Sequence, residues 1–285
     1  MAAALTPVLD GLAFPEGPRW RDGRLWFSDM HAHRVVALDP TTGIDETIVA
    51  VPGQPSGLGW RPDGTLLVVS MTDRRLLALV DGSLETIADL RDVAPFHCND
   101  MVVDAEGHAF VGNFGFDLHD PEAERRATTL VRVSVTGEVT VAAADLSFPN
   151  GTVITPDGAT LIVGESFSGS LTAFDLGSDG SLSNRREWAR VRGAIPDGIC
   201  LDADGAIWVA SPISHQVLRV AEGGEILDEV RTSDERQPFA CMLGGDDGRT
   251  LFVCTALDSE PEACRRHLAG RIESTTVDVA HAGLP

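Results

Sequence analysis

The chain has 285 residues, 43% of them hydrophobic and 23% charged, with a formal net charge of −21. So acidic a surface repels phosphate backbones and anionic bilayers, which argues against nucleic-acid and membrane partners, and no run approaches the roughly 18 apolar residues of a membrane span. The start Met1-Ala-Ala-Ala-Leu-Thr-Pro lacks the features of a signal peptide. The five cysteines Cys98, Cys200, Cys241, Cys254 and Cys264 lack metal-site or redox spacing, so a cytoplasmic protein with reduced thiols is expected.

The first strand-like segment is Leu5-Thr6-Pro7-Val8-Leu9, and a repeat follows it. Each copy is an acidic residue and glycine in a turn, then a short apolar strand. The six turns are Asp22-Gly23, Asp63-Gly64, Glu106-Gly107, Asp157-Gly158, Asp204-Gly205 and Asp247-Gly248, with gaps of 41, 43, 51, 47 and 43 residues between the glycines. Asp-Gly between apolar runs marks a tight hairpin in which both central residues take positive φ. Further strand-like runs follow each turn, such as Arg34–Leu38 and Ser170–Phe174, and no segment carries a long, capped helical period. Each unit therefore holds about four strands, the content of one propeller blade. The expectation is all-β: a single domain over residues 1–285, a six-bladed β-propeller with four-stranded antiparallel blades around a central channel. Ring closure needs a strand from one terminus to cover an edge of the last blade. Leu5–Leu9 is expected beside Ser274–Val279.

Just upstream of each turn the copies align again. They read Phe14-Pro15-Glu16-Gly17, Gln54-Pro55-Ser56-Gly57, His97-Cys98-Asn99-Asp100, Phe148-Pro149-Asn150-Gly151, Ile195-Pro196-Asp197-Gly198 and Gln237-Pro238-Phe239-Ala240. The matched residues Glu16, Ser56, Asn99, Asn150, Asp197 and Phe239 lie seven to nine residues before the turn glycine. In a propeller this register opens the innermost strand of every blade, so the six positions converge at one mouth of the axis. Five carry a side-chain oxygen and four are carboxylates or carboxamides, the donors that hard divalent cations take. A lone Pro-Asn-Gly or Pro-Asp-Gly is a turn signature. Recurrence at one register, with Glu16 among the set, points instead to a metal site.

The order Pro-Glu-Gly, Asn-Asp, Pro-Asn-Gly, Pro-Asp-Gly resembles the family of regucalcin (senescence marker protein), gluconolactonases and related lactone hydrolases. The likeness covers essentially the whole chain, including Cys241-Met242-Leu243-Gly244-Gly245 in the last repeat. It implies a six-bladed propeller with one divalent cation, calcium first, with zinc, manganese or magnesium as alternatives. It implies Glu16, Asn150 and Asp197 as metal ligands, and Asn99 as a contact to substrate or metal-bound water. Asp197 is also the expected catalytic base, because a carboxylate can bind metal through one oxygen and accept a proton on the other. The partner implied is a small-molecule lactone. The chain departs from the animal enzymes at His97, where they carry an arginine that helps hold a sugar lactone, and in the segment Gly112–Asp117.

Strand direction puts the end of each blade's second strand on the metal-bearing face. The residues expected there are Asp29, Met30 and His31, Met71 and Thr72, Asn113 to Asp117, Glu165 to Phe167, Ser211 and Pro212, and Thr255 and Ala256. Asn99, His97, Asn113 and Asp117 are the expected substrate contacts. The extra length of the third repeat falls in Asp117–Thr129, a lid candidate. His31 and His33 are read as loop histidines, not as a metal pair. Neither a Gly-x-Ser-x-Gly elbow nor a Walker or dinucleotide loop is present. The expected reaction is lactone hydrolysis, with a Lewis-acid cation on the carbonyl and carboxylate-assisted attack by water. Its rivals are another metal-assisted reaction on this scaffold and a non-catalytic ligand-binding or interaction propeller.

Overall fold

The computed structural model describes residues 4–285 except His119 and Asp234. Its strands form six sheets of four. Blade one is Pro15–Arg21, Arg24–Asp29, Arg34–Asp39 and Ile44–Ala50, paired antiparallel in chain order. Blades two to five repeat this plan from the innermost strands Pro55–Trp60, Cys98–Val103, Pro149–Ile154 and Ile199–Leu201. Blade six joins Gln237–Gly244, Thr250–Ala256 and Gly270–Thr276 to the N-terminal strand Thr6–Leu12. Thr6 stands opposite Ser274 and Leu12 opposite Gly270, so the ring closes as expected, with a partner strand that begins earlier than Ser274.

Burial across a blade follows its sequence. The second strand of blade two, Leu66–Ser70, is sandwiched between neighbouring blades, buried throughout and nearly all apolar. The outer strand Ile44–Ala50 faces water and is rich in polar residues. Between blades the core is continuous: Leu25, Phe27 and Leu38 of blade one join one cluster with Met242, Phe252 and Ile272 of blade six.

The X-Gly pairs that open the innermost strands have a packing reason. A Cβ on Gly57 would lie 2.3 Å from the Met101 nitrogen, and one on Gly151 would lie 2.5 Å from the Ile199 nitrogen. Neighbouring innermost strands meet here backbone to backbone, and only glycine fits. These glycines set how closely the innermost strands approach one another at the axis.

The hairpin turns differ from expectation in detail. Only Asp22-Gly23 has both central residues at positive φ, 51° and 73°. In the other five repeats the glycine alone is positive. Those turns carry an i to i+3 bond, such as Gly64 N–H to Arg61 O at 2.9 Å. This is the longer hairpin loop built on an ordinary turn that ends in a positive-φ glycine.

A short helix, Pro261–His267, which the sequence pattern did not reveal, lies between the second and third strands of blade six. Pro261 occupies its first turn, the Glu260 carboxylate caps the Ala263 N–H at 2.7 Å, and Arg265, Arg266 and His267 crowd its last turn. All five cysteines are buried and unpaired. Among the described residues no helix is long and apolar enough to cross a membrane.

Candidate metal centre and substrate cavity

Glu16, Asn99, Asn150 and Asp197 line one cavity of about 250 Å3 at the mouth where the innermost strands begin. The register argument therefore brings together the four residues it singled out. Ser56 sits just behind, its hydroxyl 3.4 Å from Asn99 Oδ1, and Phe239 supplies an apolar wall at the sixth position.

The hydrogen bonds around Asn150 fix which way its amide points. Ser166 Oγ donates to the Pro196 carbonyl at 2.7 Å, so towards Asn150 it must accept. The Asn150 nitrogen, 3.2 Å from Ser166 Oγ, also donates to Asp197 Oδ1 at 2.6 Å. Both contacts engage the nitrogen and leave Asn150 Oδ1 to serve as a ligand. Asp197 itself precedes the short strand Ile199–Leu201, and its N–H bonds Ala210 O at 3.0 Å.

The charges at this site are poorly compensated by the protein alone. Burial pushes the Glu16 carboxyl up to about 8, opposed by the Gly17 N–H at 2.9 Å and reinforced by the charge of Asp100. Burial, then the charge of Glu16, raises Asp197 well above the usual carboxylate range despite the Asn150 bond. Two buried carboxylates that disfavour their own ionisation are what a divalent cation would relieve. Among the described residues no three His, Cys, Asp or Glu side chains are arranged to hold a metal ion by themselves. The donor set here is two carboxylates and two carboxamides, all oxygen, which fits calcium or magnesium chemistry.

Beside these four residues lies a buried ion pair that sequence reasoning passed over. Arg19 Nη2 is 2.6 Å from Asp100 Oδ1, while the guanidinium also donates to Leu58 O, Met101 O and Pro18 O at 2.9, 2.5 and 2.8 Å. One side chain thus ties the innermost strands of blades one, two and three. Asp100 stands directly after Asn99 in Asn-Asp, but nothing in the local pattern named Arg19 as its partner.

The expected ring of second-strand residues divides in two. Met30, His31, Met71, Phe114, Ser166, Phe167 and Pro212 do line the cavity. The polar residues that close these strands turn the other way. Asp29 Oδ1 accepts the Ala13 and Phe14 N–H groups at 2.9 and 3.0 Å, Glu165 Oε2 accepts Ser147 N–H at 2.6 Å, and Ser211 Oγ accepts Ile195 N–H at 3.0 Å. Each holds the loop that leads to a cavity residue: Glu16, Asn150 and Asp197 respectively. Glu165 also accepts from Thr172 and Arg185, so its carboxylate is a tether and not a second base.

The other expected substrate contacts lie outside the cavity lining. Asn113 is fully buried, with its amide donating to Thr129 O at 2.8 Å and its oxygen accepting from Gly115 and Thr128, and it does not line the cavity. His97 stacks on Phe96 with ring centroids 4.1 Å apart and stands behind Phe114; neither it nor Asp117 is among the lining residues. Leu118, next to Asp117, reaches the wall instead. His31 lines it too, but its ring nitrogens face Gln54 and the Ser259 carbonyl at 3.1 and 3.3 Å, and His33 turns to Pro52 O. Sequence reasoning missed Phe14, Phe148 and Ile195 as wall residues, although the Phe-Pro and Ile-Pro steps before the ligands were visible.

A six-bladed propeller with an all-oxygen site at one mouth is the class that fold and geometry define. The SMP-30/gluconolactonase/LRE-like region model matches residues 14–257, and the chain belongs to that family. It is 30% identical to 6-deoxy-6-sulfogluconolactonase from Pseudomonas putida, over 95% of this chain and 93% of that one. It is 28% identical to regucalcin from Xenopus laevis, over 87% and 84% of the two chains. The crystal structure of a calcium-binding protein, regucalcin, from Agrobacterium tumefaciens superposes with a TM-score of 0.80 at 23% identity, covering 100% of this chain and 97% of that one.

Proposed function

We propose that this chain is a lactonase that opens a cyclic ester at the mouth of the ring with the help of one divalent cation. The observation that carries the reading is the convergence of Glu16, Asn99, Asn150 and Asp197 on one cavity. Family membership and the lactonase named among the relatives support the ester bond as the one broken. The oxygen-only donors and the calcium-binding neighbour support calcium first, with magnesium, manganese or zinc as alternatives.

Glu16, Asn150 and Asp197 would hold the cation, which when bound supplies Lewis acidity at the lactone carbonyl. Asp197 accepts the Asn150 amide on Oδ1; with the cation sharing that oxygen, Oδ2 would take a proton from the attacking water. Water adds to the carbonyl carbon and the ring C–O bond breaks. The ring oxygen leaves as an alcohol after taking up the proton that Asp197 received, and the product is a hydroxy acid. Asn99, which lines the same cavity, would orient the ester, and the apolar walls would limit bulk water at the reacting carbon. Buried, unpaired thiols suit a reducing cytoplasm.

The test is acid release from a panel of γ- and δ-lactones, sugar lactones included, before chelation, after it and after metal is restored. One equivalent of divalent cation, with activity lost on chelation and regained on addition, is expected. The metal-free protein should still melt cooperatively, because the inter-blade core exists without the site. Full turnover by metal-free protein would overturn the metal reading.

A further inference from the structure

We propose that the substrate is a lactone carrying an apolar substituent, not a polyhydroxylated ring; the proposal rests on the lactonase reading above and specifies its substrate class. Every blade gives the cavity an apolar side chain: Phe14, Met71, Phe114, Phe148, Ile195 and Phe239. The rings form two packed groups. Phe14 meets Phe239 at 4.7 Å between centroids, and Phe148 meets Phe114 and Phe167 at 4.7 and 4.9 Å. The apolar surface continues outward, since two further lining residues, Leu118 and Ile213, are 42% and 61% exposed at the rim. Exposed aliphatic side chains contiguous with a concave apolar wall mark a ligand path.

The polar inventory of the wall points the same way. Beyond Glu16, Asn99, Asn150 and Asp197, the polar lining side chains are His31, Ser166, Gln237 and Ser259. Ser166 is engaged with Pro196 O and Asn150, and both His31 ring nitrogens face protein partners. A ring with a hydroxyl on most carbons would bury several of them against phenylalanine and methionine. Each hydroxyl left without a partner costs roughly tenfold in binding. An alkyl or aryl substituent gains about fourfold for every methylene removed from water. The volume of about 250 Å3 sits just below that of common small-molecule sites, so a lactone ring with a short tail fills it.

The experiment measures kcat/KM for γ-butyrolactone and its 4-methyl, 4-butyl and 4-hexyl derivatives beside D-glucono-1,5-lactone, using metal-loaded wild type. The expected result is a rise of about fourfold per methylene over the first carbons, with the 4-butyl compound ahead of the sugar lactone by at least tenfold. Phe167 is half-buried at the edge of the wall, and Phe167→Ser should flatten the chain-length slope while the protein still melts cooperatively. The 4-hexyl γ-lactam, measured by calorimetry, separates binding from turnover. If the sugar lactone is the better substrate, or tail length has no effect, the proposal fails and the lactonase reading stands. If no lactone is opened but the lactam binds, with affinity rising with tail length, the apolar site stands and the lactonase reading fails. If the lactam does not bind and no lactone is opened, both fail.

Discussion

Carboxylates stand at both ends of the innermost strands, and their surroundings differ. At the turn end, Asp63 accepts the Thr65 N–H at 2.9 Å, and Asp157 accepts the Thr155 hydroxyl and the Ala159 N–H at 2.6 and 3.0 Å. Both are exposed, and these hydrogen bonds hold their carboxyls below the usual range. At the other end, Glu16 and Asp197 lie deep, repel one another and are pushed up, chiefly by burial. The same residue types recur with the same period at both ends. Only where donors are scarce and water is excluded does the carboxylate become a site for a cation or a proton, so recurrence alone does not mark function.

The comparison can be tested hardest at Asp197. Asp197→Asn keeps the size and one oxygen but removes the proton acceptor, and kcat should fall by roughly 10²–10⁴-fold. Adding excess cation should leave it slow. Glu16→Gln should instead lose metal during dialysis and regain much of its rate when cation is restored. Equal rescue of both variants would make Asp197 a ligand only.

A large effect on stability is expected just beneath the site. Arg19→Ala strips the partner from buried Asp100 and releases carbonyls in two neighbouring blades. Chemical denaturation should show a loss of about 3–5 kcal/mol, the usual consequence of leaving one charge buried without its mate. Arg219, which pairs with Asp202 and Asp204 and is partly exposed, should matter less when replaced in the same way.

The pH response should carry the opposite sign at the two ends. Glu16 titrates near 8 in the folded, metal-free protein and near its ordinary value of 4.5 when unfolded. The folded state therefore binds the extra proton between these values, and stability falls as pH rises through that window. Asp197 acts in the same direction. Melting temperatures of metal-free protein should drop from pH 5 to pH 8, and saturating cation or Glu16→Gln should flatten the curve. The smallest effect belongs to the turns. Asp157→Ala should lower the melting temperature slightly at neutral pH, and the difference from wild type should shrink as acid protonates Asp157. Its kcat/KM should match wild type.

Much of this was legible because it is local. The turn punctuation counted the blades, and one register named Glu16, Asn99, Asn150 and Asp197, since residues at the start of an innermost strand lie at the axis whatever follows. The parity at the ends of the second strands was not legible. A shift of one residue separates Asp29, which tethers Phe14, from Met30, which lines the cavity, and the sequence does not show where pairing stops. The placement of Asn113 was not legible for the same reason: it is the last residue of its strand, buried, and engaged by Thr128 and Thr129.

From the sequence alone come the six-fold repeat, the antiparallel blades, closure by the N-terminal strand and the four oxygen-bearing residues that share the cavity. The repeat, the blades and those residues follow from strand period and turn chemistry within about fifty residues, and closure follows from the need to cover the last blade's open edge. Tertiary structure alone decided that Arg19 meets Asp100 across 81 positions, that three strand-end residues brace the loops leading to Glu16, Asn150 and Asp197, and that these side chains share a cavity with phenylalanines from separate blades. Those contacts join residues distant in the chain, and they exist only once closure of the ring brings the blades together around one axis.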